Sequence, residues 1–541
     1  MQEKTYALLL SDIRVPFDAP DEEALKIAQK KLKSARLDAR LRFHIYKKSL
    51  DARRKQAILK VCSVLAECEE PIKFSPAALE RIGARPFSRA LPEVRLGDGE
   101  LGARPLVVGM GPAGLFAALM LAEQGYAPVI IDRGDDVFTR ARAVERFSVA
   151  GVLDTESNIQ FGAGGAGTFS DGKLVTRVND PLCNYVLSRL VEFGAPAEIL
   201  QKQKPHVGTD ILREVVQGIL SRIEELGGTV KYRTKLEDLS VTEQGVRVRT
   251  CAGEIEAGAV LLAIGHSARD TFELLLQKGL LIEPKPFSVG VRIEHLREDI
   301  DRALYGDLAG HPALGVGEYA LADTTGTRGV YTFCMCPGGE VVAAASEEGG
   351  VVVNGMSHHA RDGRNANCAV AVSVRVSDYE PVDGNVALGA IAYQRRIEQA
   401  AFALGGGNYS APIQTVGDFL DGTLKREPSR ITPTYRNGAF VRVADISQAF
   451  PSYVTDALRY GLTSFDRKLA GFACADAVLS AAETRTSAPV RVLRGEDGQA
   501  VGHPCVYPCG EGAGYAGGIT SAAVDGLKTA LRLMARFAPP N

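Results

Sequence analysis

The sequence predicts an α/β fold on three observations. A strand, glycine turn, helix and second strand follow one another at 104–133; strand, glycine turn and helix return near 505–534; and the stretch between 286 and 475 lacks that rhythm. Together they describe one Rossmann-type domain split in the chain, with a mainly β domain inserted into it and a small α+β domain ahead of it. The boundaries drawn from composition are 1–100 for the N-terminal α+β domain, 101–285 for the first part of the nucleotide-binding domain, 286–475 for the inserted substrate or cap domain, and 476–541 for the returning part.

A chain of 541 residues is long enough for roughly three to four structural units. With 45% hydrophobic and 24% charged residues it is a globular composition, which excludes disordered and collagen-like classes, and a net charge of -2 singles out no partner. The opening MQEKTYALLLSDIR has no basic region followed by an apolar stretch, so a secretory signal is not expected. No apolar run approaches the roughly 18 residues of a membrane span. Ten scattered cysteines read as mostly reduced, and the expected compartment is the cytoplasm.

In the first domain TYALLL and RFHIYKKSL read as strands and DEEALKIAQKKLK as a capped amphipathic helix. Residues 30–60 carry twelve Lys or Arg against Asp38 and Asp51, a local basic run. It raises nucleic acid as a partner, with Lys47, Lys48, Arg53 and Arg54 as contacts, against the simpler reading of a solvated helix face.

The strand PLVVGM then opens the nucleotide fingerprint. Gly109, Gly111 and Gly114 form GxGxxG between a strand and a helix, where the first glycine makes the tight turn, the second admits a pyrophosphate, and the third lets the helix pack on the strand. Free N–H groups at the helix start bind phosphate. Asp132 closes the next strand, with seventeen residues between it and Gly114, and can accept from a ribose diol. After a glycine-dense loop at 162–172, TDILREVVQGILSRIEELGG reads as a helix, and TVKYRT, GVRVRT and EIEAGAVLLAIG as strands, giving a parallel sheet extended by a meander that ends at Gly265. From 286 alternating segments such as SVGVRIEH, GVYTFCMC and EVVAAAS predict the inserted sheet. The chain returns at CVYPCGEGAGYAGGITSAAVDG, where Gly517 and Gly518 precede a helix.

FAD is favoured over NAD because the sheet is completed by distant segments, as a long cofactor requires, and because FGAGGAGTFSDGKL and the GEG turn at 510–512 offer further close backbone approaches. These motifs, with KKSLDAR, KPFSVGVRIEH, YTFCMCPGGEVV, NGMSHHAR and ETRTSAPVRVLR, resemble the bacterial FAD-dependent dehydrogenases of largely unassigned substrate, a family related in fold to the glutathione-reductase and fumarate-reductase flavoproteins. The resemblance implies that Gly109, Gly111, Gly114, Asp132, Gly164, Gly165, Ser170, Gly510, Glu511, Gly517 and Gly518 contact FAD, and Pro112, Ala113, Arg133, Lys173, Gly265 and Ile519 join them at the same turns. Asp132 stands where such flavoproteins more often have Glu, one methylene longer.

The flavin itself carries out electron transfer, so no catalytic base is obligatory. Candidates are Lys173 at the end of the glycine loop, Arg292 and Glu294 on one face of VGVRIEH with His295 opposite, and Cys509. A surface or interface salt bridge is the simpler reading of Arg292 and Glu294. His358, His359 and Arg361 could bind an anionic substrate or form a solvated loop. Cys334 and Cys336 are too close for a finger-like chelate and no metal site is expected; Cys505 and Cys509 could form a flavin-coupled dithiol beside the cofactor turn, and either pair could be redox-active. No second dinucleotide fingerprint occurs in AIGHSARD or LGGGN, so NAD(P)H is expected only as a transient electron donor, or another reductant serves. The expected function is an FAD-dependent oxidoreductase, a dehydrogenase or reductase acting on a small molecule. The competing readings are a flavin-dependent RNA-modifying enzyme and a non-enzymatic flavin redox sensor.

Overall fold

A computed structural model of the chain describes residues 3–37, 40–88, 91–438 and 440–540; Asp38 of the basic run lies outside them. At the centre is a five-stranded sheet in which every pairing is parallel. Its order is Val506–Pro508, Val260–Leu262, Leu106–Val108, Val129–Ile131 and Thr229–Lys231. The strands are short apolar runs (LVV, VII, VLL) without alternation, as a sheet covered on both faces demands. The helix Pro112–Glu123 is buried along nearly its whole length, with proline in its first turn and Gly111 as N-cap. It packs between Ile519–Met534 and Thr209–Glu225. A Cβ on Gly526 would lie 2.0 Å from the carbonyl oxygen of Ala113, so the contact between the first and last of these helices depends on a missing side chain.

The meander does not extend this sheet. Leu236–Thr242, Gly245–Thr250 and Gly253–Ala257 form a separate antiparallel sheet, because two-residue links at 243–244 and 251–252 can only fold back as hairpins.

The segment from 286 onward forms a seven-stranded sheet: Ala322–Asp323, Val330–Cys336, Asn365–Val374, Phe287–Leu296, Val478–Glu483, Ala411–Thr415 and Val441–Val443. Its pairings are antiparallel except the last. The sheet recruits Val478–Glu483, beyond residue 475, and is covered by the helices Arg297–Tyr305, Val386–Leu404 and Ser452–Lys468, so the segment is α+β rather than mainly β. The central strand Phe287–Leu296 explains this: all of its residues are buried, which needs cover on both faces.

Ahead of both sheets, Arg42–Asp51, Leu59–Phe74, Glu3–Pro16 and Ala84–Pro86 form a four-stranded sheet with the helix Asp21–Ser34 packed against it. Lys48 N–H donates to Gln201 O and Gln203 N–H to Lys48 O, docking this sheet on the rest.

Candidate functional site

A cavity of about 310 Å³ opens at the carboxyl ends of the parallel strands, where open α/β sheets bind ligands. Much of one wall is bare backbone. Gly109, Gly111, Pro112 and Ala113 contribute the first turn, Gly165, Ser170 and Lys173 the glycine loop, Gly265 the turn after Val260–Leu262, and Glu511, Gly517, Gly518 and Ile519 the last turn. Gly109 adopts φ 104°, and a Cβ there would meet Ala263 O at 2.3 Å, so only glycine makes this turn. At Gly111 a Cβ would meet nothing nearer than Gly165 Cα at 3.9 Å and would project into the cavity instead. Two helices, Pro112–Glu123 and Ile519–Met534, begin at this wall with glycine N-caps and no capping side chain, leaving their N–H groups and positive dipole ends for a ligand.

Asp132 is buried at one end. Its Oδ2 accepts from Met110 N–H at 2.8 Å and its Oδ1 from Gly134 N–H at 2.9 Å, which fixes the carboxylate and leaves a lone pair on each oxygen. Arg133 lies over the Phe161 ring at 4.3 Å and is paired with Glu156 at 2.6 Å and Asp270 at 2.5 Å. Gly114, Gly164 and Gly510 do not line the cavity. They stand one layer behind it, where a Cβ would meet Gly109 O, Thr168 Oγ1 and Ala113 Cβ respectively. Burial pushes the Glu511 carboxyl up to about 7, with the Gly518 N–H and Lys285 opposing it more weakly.

The other wall carries Phe333 and Cys334 from Val330–Cys336, Glu483 at the end of Val478–Glu483 with Arg485 and Thr486 just beyond it, and Asn354 from a separate two-stranded sheet, Glu340–Ala343 with Val353–Met356. None of these was singled out as a binding residue from sequence. The ETRT segment carries three of them, and the signal available was a polar run directly after an apolar strand. His266, also on the wall, is held neutral: burial and the charges of Arg485 and Arg269 lower it to about 3.

The catalytic candidates separate. Lys173 lines the cavity, 3.7 Å from Asp171; burial lowers its pKa, but Asp171 and the nearby cysteines outweigh this and keep it an ammonium. Arg292, Glu294 and His295 line nothing and are fully buried, which corrects the surface or interface salt-bridge reading: their strand is central, so neither face reaches solvent. Arg292 donates to Glu483 at 2.9 Å, Asn354 Oδ1 at 3.0 Å and the Cys334 carbonyl at 3.0 Å, standing directly behind three cavity residues. Glu294 accepts from Thr434 Oγ1 at 2.6 Å and Asn365 Nδ2 at 3.0 Å, and His295 Nε2 pairs with Phe472 O at 2.7 Å. His358 is exposed in a loop, whereas His359 stacks on His206 and Arg361 is buried against Asp171 and Glu318, so the solvated-loop reading holds for His358 alone; none of the three lines the cavity. Cys509 is buried among Ala113, Ala263, Ala516 and Ala522. Cys505 sits at the start of Val506–Pro508 and Cys509 just past its end, about 13 Å apart at the rise of a strand. They cannot pair as a dithiol.

Residues 286–486 match the family model described as FAD-dependent protein, C-terminal domain-like. An uncharacterized protein of Clostridium beijerinckii is 44% identical over 542 residues, covering 99% of this chain and 100% of that one. Among solved structures, CtdE in complex with FAD is 11% identical, covering 80% of this chain and 86% of that one at a TM-score of 0.33. Glycine oxidase from Geobacillus kaustophilus is 11% identical, covering 80% and 92% at a TM-score of 0.30.

Proposed function

The chain belongs to the family of its full-length Clostridium beijerinckii relative, and from that premise we propose that it transfers hydride between a small-molecule substrate and noncovalently bound FAD. FAD is the cofactor and the protein is a flavin oxidoreductase. The observation that carries the finer reading is the two-sided cavity: one wall is bare backbone and helix starts, suited to a dinucleotide, and the facing wall is polar side chains from a second sheet, suited to a substrate.

Bound FAD supplies two-electron acceptance, with negative charge gathering at the pyrimidine edge of its ring system. The N–H groups at Gly111–Pro112 and after would hold the pyrophosphate, and Asp132 the ribose. Gly517 and Gly518 expose the start of Ile519–Met534, whose unpaired donors and partial positive charge favour an anion. Glu483 and Arg485 on the facing wall are immobilised by buried partners, Arg292 and Glu398, so they orient a substrate without first having to be ordered.

The nucleic-acid reading loses support because four cations of the basic run, three of them among the proposed contacts, are engaged within the protein. Lys48 and Lys60 pair with Asp21, Arg53 with Asp51, and Lys47 donates to Lys202 O. The proposed partner is therefore a small molecule, not a nucleic acid or membrane, and the proposed compartment is the cytoplasm, which suits ten unpaired cysteines. Purified protein should be yellow and release FAD on acid denaturation, and it should turn over NAD(P)H or another reductant against a panel of acceptors. Gly111→Val should lose the flavin, since the new side chain would occupy the cavity; stoichiometric FAD in that variant would refute the assignment.

A further inference from the structure

The strand Val330–Cys336 pairs in register with Asn365–Val374 from Val330↔Val372 to Phe333↔Ala369 and then slips, so that Cys336 faces Asn367. One extra residue is accommodated around Cys334, a β-bulge, and Cys334 takes φ 45°. Bulges of this kind ordinarily place glycine in the left-handed position, because a Cβ there crowds the backbone. Here cysteine stands in that position in place of glycine, so the strained residue carries a side chain at the cavity. The bulge turns Cys334 into the cavity wall, while Cys336 is fully buried behind it.

The two sulfurs share one environment. Cys336 Sγ–H donates to the Cys334 carbonyl at 3.3 Å, Arg292 donates to the same carbonyl at 3.0 Å, and the Arg292 guanidinium lies 4.0 Å from Cys336 Sγ. Hydrogen bonding from Cys336 lowers the Cys334 thiol pKa; burial opposes this, and Arg292 and Lys173 reinforce it. Cys336 is pushed the other way, so Cys334 is the readier of the two thiols to ionise. A bond across a single intervening residue is strained and therefore easily reduced, the property of an exchangeable disulfide and not of a structural one.

We propose that Cys334 and Cys336 form a two-electron dithiol/disulfide couple that exchanges electrons with FAD bound in this cavity, an inference that rests on the FAD-dependent reading above. In the oxidising direction the Cys334 thiolate and the Cys336 thiol form an S–S bond, releasing one proton and two electrons, and the oxidised flavin takes up both electrons and that proton. The reverse direction regenerates thiolate and thiol.

The test is an anaerobic dithionite titration of the flavin-loaded protein, with alkylation and peptide mass spectrometry on the same air-oxidised samples. Wild type should consume about four electrons per flavin, and Cys334→Ser and Cys336→Ser about two. A cross-linked Cys334–Cys336 peptide should be recovered from wild type before titration and disappear after it. Wild type that binds FAD, consumes about two electrons and alkylates at both cysteines after air oxidation overturns the proposal. Protein that binds no FAD at all instead overturns the reading beneath it, and the couple's contact with flavin falls with it. Should either serine variant fold poorly, the peptide result on wild type decides alone.

Discussion

Asp132 has a structural role beside the one proposed for it toward ribose, and a conservative change tests both. Its oxygens already accept from Met110 N–H and Gly134 N–H, so the carboxylate shapes the first glycine turn before any ribose arrives. Asp132→Asn must turn an amide donor toward one of two backbone donors. We expect FAD affinity to fall by about 1–3 kcal/mol, the cost of an unsatisfied buried donor, read by fluorescence titration of the flavin-stripped protein. Glu511 reports a different quantity. A carboxyl pushed up to about 7 by burial binds its proton more tightly in the folded protein than in the unfolded chain. Its share of stability is therefore lost as pH rises from the unfolded value near 4.5 toward 7. In flavin-stripped protein Glu511→Gln should flatten the decline of the thermal midpoint across that window, and parallel curves for variant and wild type would count against it.

At the scale of elements the contact between Pro112–Glu123 and Ile519–Met534 is the narrowest fit. With only 2.0 Å between a Cβ on Gly526 and Ala113 O, Gly526→Val has to push the helices apart. We expect a loss of about 1–3 kcal/mol or more in urea unfolding, together with weakened FAD retention, because the displaced helix is the one whose start faces the cavity. The GxGxxG turn and its helix were legible in sequence because strand, glycines and helix lie within one short stretch. The seven-stranded sheet was less so. Phe287–Leu296 is buried on both sides, and that erases the in/out alternation by which a strand announces its faces; VGVRIEH was accordingly read as half exposed. Nor could the facing wall be read, since Cys334 and Glu483 converge only through pairings between strands far apart in the chain, and Asn354 joins them from a separate two-stranded sheet. The bulge at Cys334 leaves no trace in CMC, because the residue in the left-handed position is not the expected glycine.

Over the whole molecule the two walls are joined by a buried ionic cluster. Glu398, on the helix Val386–Leu404, receives Arg269 at 2.7 Å from the start of the helix Arg269–Gln277, which follows the parallel strand Val260–Leu262, and Arg485 at 3.1 Å from just past the end of the inserted sheet. Glu398→Ala would leave the buried Arg485 guanidinium without its carboxylate and Arg269 with Glu347 alone. We expect a loss of about 3–5 kcal/mol in urea unfolding, nearly unchanged in about 1 M salt because the pair is shielded from solvent, with Glu398→Gln losing less. An exposed pair would lose under about 1 kcal/mol and would be salt-sensitive. The order of the central sheet has a consequence for synthesis. Val260–Leu262 pairs on one side with Leu106–Val108, made before it, and on the other with Val506–Pro508, made long after. At about 5–20 residues per second the ribosome takes roughly 12–50 s to reach the second partner. Throughout that interval the nascent chain carries an unpaired parallel edge and a cavity without its last turn, while the inserted sheet between them can fold. Cofactor capture is thus expected late in the life of each molecule, and until then the open edge is a place where a strand of another chain can pair.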